Sequence, residues 1–169
     1  MKSAICADCG MPRPEDATWI IDGEAICRSC LFGELRPVEI YPIGVVVNAQ
    51  ERDDSDFGLR SRDAVSRIEL MRSQRRFMYR LADEPRLTIV YYLHRARAIR
   101  SRFERGLDGK EVGVFASRTP DRLSRLGISD VRLIGIEDTT LLVEGLYAID
   151  GTPVLYIKLS RSAVEAASP

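Results

Sequence analysis

Four cysteines fall within the first thirty residues as two Cys-x-x-Cys pairs, Cys6-Ala-Asp-Cys9 and Cys27-Arg-Ser-Cys30, with seventeen residues between them. Thiolates at this spacing are metal ligands. Two intervening residues let a tight knuckle place both sulfurs on one edge of a tetrahedron, about 2.3 Å from a Zn²⁺ ion. Gly10 follows the first pair, where a knuckle often needs positive φ. Cys6, Cys9, Cys27 and Cys30 are therefore the expected ligands of one structural Zn²⁺. A thioredoxin-type redox site would need only one pair and a βαβ setting, which is missing. Two disulfides would need an oxidising compartment. Four thiolates leave no open coordination position, so the metal is expected to fold the module and not to catalyse.

The elements that would position these ligands are short. Thr18–Ile21 and Glu24–Ile26 flank Asp22-Gly23, the pattern of a β-hairpin with a two-residue turn. Leu31 to Leu35 can start a short helix after Cys30. Knuckle, hairpin, knuckle and helix make a zinc-ribbon or treble-clef module over residues 1–36. Arg36-Pro37 is a plausible linker, and a second domain is expected over residues 37–165. Its β-rich stretches are Val38–Val47, Leu87–Leu93, Glu111–Ala116, Val131–Ile136, Thr140–Leu146 and Val154–Leu159. Residues 49–60 form a polar loop, Ala64 to Leu70 is extended or mixed, and Ser73 to Leu81 suits a short helix. Many short strands with little helix predict a mainly β fold, a small barrel.

Charge narrows the function classes. The 169 residues carry 25 basic and 25 acidic side chains, so no global field argues for nucleic acid or membrane. The bases are nearly all arginine, since only Lys2, Lys110 and Lys158 are lysines. Arginines concentrate at Arg60, Arg62, Arg67, Arg72, Arg75, Arg76 and Arg80, and again at Arg95, Arg97, Arg100, Arg102 and Arg105. These are either solvated faces or a polyanion-binding surface, because the guanidinium fork matches phosphate. No apolar run is long enough to span a membrane, and the N-terminus lacks the apolar core of a signal peptide. The expected compartment is the cytoplasm. The single histidine, His94, follows the most apolar strand, no nucleophile elbow accompanies it, and a structural role suits it best. The residue types suit a reaction that needs little acid–base help, such as methyl transfer from a sulfonium cofactor that the protein mainly positions.

Three segments, in order, resemble one family. Pro42-Ile43-Gly44-Val45-Val46 is similar to its opening strand. Val112 to Arg122, followed by Leu126-Gly127-Ile128-Ser129, is similar to its long central string, and Asp150 to Lys158 to its closing one. The family is the TsaA-like or YaeB-like (TrmO) group of S-adenosylmethionine-dependent tRNA N6-adenosine methyltransferases. The resemblance covers roughly residues 40–160 and leaves the cysteine module outside. It implies a small YaeB-like β-barrel acting as a homodimer, with the cofactor near the dimer interface. The implied substrate is N6 of threonylcarbamoyl-adenosine in tRNA. The residues it carries over as cofactor-binding are Phe115, Arg118, Arg122, Gly127, Ser129, Asp150, Gly151 and Thr152.

Two departures accompany the matches. Leu123-Ser124-Arg125 stands where the family has Pro-Asn-Pro, which removes an amide side chain and two fixed φ angles. Tyr156 stands where the family has Asp, and a neutral phenol cannot copy a carboxylate beside a cationic sulfonium. An active methyltransferase, a non-catalytic module that binds cofactor, nucleotide or RNA, and a scaffold for interactions all fit this pattern.

Overall fold

The structure is a computed structural model that describes residues 2–48, 65–96, 98–106 and 108–161. The polar loop expected over 49–60 lies outside the described residues, as does Ala64. Among the described residues the strands, in chain order, are β1 (Ser3–Ile5), β2 (Pro12–Pro14), β3 (Thr18–Ile21), β4 (Glu24–Cys27), β5 (Gly44–Val47), β6 (Val65–Leu70), β7 (Arg86–Tyr92), β8 (Arg102–Arg105), β9 (Lys110–Gly113), β10 (Leu126–Glu137), β11 (Thr140–Glu144) and β12 (Pro153–Leu159). Helix α1 spans Arg28–Phe32. These elements group into two compact units, one of Met1–Glu39 with Ala96–Ser124 and the other of Ile40–Arg95 with Arg125–Pro169. The sequence pattern alone places 96–124 with the barrel; by packing, the segment groups with the cysteine module.

In the second unit six antiparallel strands close a barrel in the order β10-β11-β6-β5-β12-β7. Burial alternates along β6 and β11, which is the two-residue period of strands with one face in a core. Strand β7, between β10 and β12, is buried at the consecutive residues Leu87, Thr88 and Ile89, so both of its faces are covered. The twelve residues of β10 pair first with β7 and then with β11, so one strand turns the corner that closes the sheet. A register shift between Leu133 and Gly135 marks the bend, as bulges do in barrels. Ile68, Leu87, Ile89, Leu141, Val143 and Val154 are fully buried inside. The mainly β barrel expected from the sequence is present.

Several segments differ from their sequence reading. The helix expected over 73–81 is replaced by 3-10 turns at Arg72–Phe77 and Leu81–Asp83. The strand expected over 111–116 ends at Gly113, and Val114–Ala116 coils into a 3-10 turn. The extended stretch from Val38 shortens to Gly44–Val47, and the helix after the second cysteine pair starts earlier, at Arg28. No described helix is long and apolar enough to cross a membrane.

The first unit is made of three two-stranded sheets, β1-β2, β3-β4 and β8-β9. The β3-β4 turn is Asp22-Gly23, with φ of +52° and +89°. Positive φ at both central residues is the turn geometry that matches strand twist, and it explains why the sequence has this dipeptide there. Trp19 on β3 meets Phe32 on α1 edge to face, with ring centroids 5.1 Å apart.

Candidate functional site

The first knuckle follows β1, and the second joins the end of β4 to α1, so two turns of the same small unit carry the four cysteines. The Cys6 amide is tied to the Met11 carbonyl (3.1 Å) and the Gly10 amide to the Cys6 carbonyl (2.8 Å), which shapes the first knuckle. The four sulfurs lie within 4.8 Å of one another. Sulfur separations are 3.8 Å for Cys6–Cys30, 4.0 Å for Cys9–Cys27 and 3.5 Å for Cys27–Cys30. A tetrahedron with metal–sulfur bonds of about 2.3 Å has edges of about 3.8 Å. The donor set therefore fits a zinc ion in size as well as in chemistry.

The thiols are uneven without a cation. The Cys27 amide donates to Cys6 Sγ at 3.2 Å and, with further backbone N–H groups, holds that thiol down to about 6. The backbone amide of Cys30 lowers Cys27 as well. Cys30 is pushed up to about 12, chiefly by the Cys27 side chain, with burial and the other two sulfurs adding. Four thiolates packed this closely need a dication to share their charge.

The carried-over residues fall in both units. Phe115, Arg118 and Arg122 belong to the first. In the 3-10 turn after β9, Val114 is buried and Phe115 is 92% exposed. Arg118 is exposed and has no side-chain partner among the described residues. Arg122 folds back on its own loop: Nε donates to the Thr119 carbonyl at 3.0 Å, and a terminal nitrogen donates to the Ser117 carbonyl. Roughly three of its five donors remain for a ligand. Ser117 and Thr119 hydroxyls accept from the Thr119 and Asp121 amides, so the loop is shaped by its own polar side chains.

Gly127, Ser129, Asp150, Gly151 and Thr152 belong to the second unit. Gly127 lies opposite Tyr91 in the β10-β7 pair, and any Cβ there would overlap the Tyr91 ring. Ser129 is 4% exposed; its hydroxyl meets Tyr91 Oη at 3.1 Å and accepts from the Tyr147 amide at 3.3 Å. Tyr91 Oη also donates to the Tyr147 carbonyl at 2.7 Å, and burial pushes this phenol above its usual range. Packing inside the barrel accounts for Gly127 and Ser129. Arg125, just before β10, has φ of +51° and gives its carbonyl to the Leu93 amide. A proline, as in the family string, could not adopt that φ.

Asp150-Gly151 is the turn into β12. The Thr152 amide donates to the Ile149 carbonyl at 3.2 Å, and Gly151 has φ of +74°, the position where a type II turn calls for glycine. Asp150 Oδ1 accepts from the Asn48 amide at 3.0 Å, while Asn48 Nδ2 holds Ser66 Oγ and the Ala148 carbonyl. His94 stands beside this turn, its Nε2 3.9 Å from where a Gly151 Cβ would be. Burial, then the Arg95 charge, lowers its imidazole below the usual range, so the ring is neutral at pH 7. Asn48 and His94 thus flank the turn that carries Asp150, Gly151 and Thr152. Neither ranks as a site residue by sequence pattern, although each is a polar residue ending an apolar strand.

A model of the tRNA-methyltransferase O N-terminal domain family matches residues 57–163. An S-adenosyl-L-methionine-binding protein of Archaeoglobus fulgidus is 30% identical over 120 residues, 70% of this chain and 86% of the relative. A tRNA (adenine(37)-N6)-methyltransferase of Mus musculus is 40% identical over 52 residues, 31% of this chain and 12% of that one. A crystal structure of TrmO from Pseudomonas aeruginosa superposes with a TM-score of 0.62 at 27% identity, over 80% of this chain. The chain spans 60% of the length of that solved structure. The central string, the closing turn and every barrel strand except β5 lie within the matched region, and the chain belongs to the tRNA-methyltransferase O N-terminal domain family.

Proposed function

We propose that the chain is an S-adenosylmethionine-dependent methyltransferase that acts on tRNA, at N6 of threonylcarbamoyl-adenosine, as a homodimer in the cytoplasm. Membership of the family carries this reading, with relatives named for S-adenosylmethionine binding and for tRNA adenine N6 methylation. When bound, the sulfonium cofactor supplies an electrophilic methyl group. The chain's part is to hold and orient. In one unit Arg118, exposed and unpartnered, and the remaining donors of Arg122 suit a carboxylate or phosphate. In the other, Asp150 keeps Oδ2 for a hydroxyl or amine while Oδ1 is tied to Asn48. Zn²⁺ on Cys6, Cys9, Cys27 and Cys30 is structural in this reading.

The RNA part has a further support. Arg72 and Arg76 are exposed with no partner among the described residues, and just after them lie Phe77, 74% exposed, and Tyr79, 87% exposed. Exposed guanidiniums followed by exposed rings suit a phosphate backbone and unstacked bases. A second reading, a non-catalytic module that binds cofactor or RNA, is favoured by Tyr156 and by the path of Arg125. Isothermal titration of the zinc-loaded chain with S-adenosylmethionine and S-adenosylhomocysteine, followed by methyl transfer to tRNA, separates the two. Micromolar binding with transfer supports the enzyme, and binding without transfer supports the second reading. No binding of either ligand overturns both cofactor readings.

A further inference from the structure

The tip of the cysteine module's hairpin makes its strongest polar contacts with a distant part of the chain. Asp22 donates its amide to the Ile99 carbonyl at 3.2 Å. Both its carboxylate oxygens accept from the Ser101 amide, at 3.1 and 3.2 Å. The Ser101 side chain, then its amide, with Arg100 and Arg102 nearby, hold the carboxyl below its usual range. The Ser101 carbonyl then accepts from the Val114 amide at 2.9 Å, the first residue of the 3-10 turn that carries Phe115. Arg100 donates its amide to the Asp121 carbonyl at 3.1 Å, and its Nε pairs with Asp121 Oδ2 at 3.4 Å. Residues 99–101 are thus gripped by the hairpin turn on one side. On the other they hold both ends of the 114–122 loop.

We propose that Asp22 is a positioning residue, through which the metal-folded hairpin clamps residues 99–101 and so sets the loop that bears Phe115, Arg118 and Arg122. The module added ahead of the barrel then serves as a brace for the family's central string. Ligand affinity of that loop follows metal occupancy of the four cysteines. The ligand half of this inference rests on the cofactor reading above; the brace itself does not.

Two readouts on the zinc-loaded full chain keep these apart. The first is amide hydrogen exchange, which reports local opening. Asp22→Ala is expected to keep its full zinc content and to speed exchange at Ser101 and Val114 by about tenfold. Asp22→Asn retains an acceptor oxygen and restores slow exchange. Ser101→Pro removes the donor from the other side, leaves the module's sequence untouched, and speeds exchange at Val114 alike. Unchanged exchange in zinc-loaded Asp22→Ala overturns the brace, and loss of zinc by that variant also overturns it, since Asp22 would then serve the module's own fold. The second readout is titration with S-adenosylmethionine, expected to weaken about tenfold in Asp22→Ala and Ser101→Pro. Equal affinity despite faster exchange overturns the positioning role. If the wild-type chain binds no S-adenosylmethionine, the cofactor reading fails, and exchange alone still decides the brace.

Discussion

The two units keep their shape by different means. The barrel closes its sheet around residues such as Ile68, Leu87, Ile89 and Leu141, all fully buried. The buried cluster of the other unit is Cys6, Ile26 and Cys27, with Ile21 and Leu31 leaning on it. Two of those three buried residues are metal ligands in prospect. Apolar burial contributes roughly 25 cal/mol per Å², so a cluster that small cannot offset the entropy of ordering its loops. The contrast sets a unit held by packing beside one whose packing is too small to hold it alone, within one chain.

Breaking the metal site should give the largest effect. Cys27→Ala, or chelation of the wild-type chain, removes a binding contribution that is about 10–16 kcal/mol in small zinc modules. Amide resonances of residues 2–39 are expected to collapse while those of β5–β7 and β10–β12 stay dispersed. Cooperative loss of both sets would mean that the units share one core. Next comes Ile89→Ala on the central barrel strand, which should cost about 2–5 kcal/mol in urea unfolding of the barrel while zinc content is unchanged. Gly127→Ala tests the close approach of β10 to Tyr91. The added methyl must displace that ring, for about 1–3 kcal/mol, and a neutral result would show that the ring moves freely. Smallest is Arg132→Ala, which removes an exposed pair with Glu144 and is expected to change stability by under about 1 kcal/mol.

Legibility from sequence follows the same divide. Cysteine spacing and the Asp22-Gly23 turn are local signals, and both elements form as read. Strands β7, β11 and β12 are visible because one or both faces sit in a core, which stamps a period or an apolar run on them, whereas β6 reads only as extended or mixed. Strand β8 escapes this reading. Arg102–Arg105 belongs to a two-stranded sheet with no fully buried side chain, so its residues look like a charged loop. The first residues of β10 are obscured by Gly127, which suggests a turn and is instead space for an aromatic ring. The strand expected through Ala116 stops at Gly113, where the Ser117 amide and hydroxyl turn back to the Val114 carbonyl and close a 3-10 turn. For the site, the gathering of the four cysteines is legible from their spacing. The motif strings mark Phe115, Arg118 and Asp150, but Asn48 and His94 join the Asp150 turn only through barrel closure, a long-range event without a local signature.

The discontinuity of the first unit has a consequence for the order in which the chain is made. All four cysteines precede the first barrel strand in the chain, so they can capture an ion before any barrel strand is made. Asp22 is then presented on a finished hairpin, and Ser101 is 79 positions away. Strands β5 to β7 are synthesised in that interval, yet the barrel cannot close until β10 to β12 appear behind them. With the hairpin folded first, the Asp22 brace proposed above would give segment 96–124 a surface to dock on before the barrel's last strands are made.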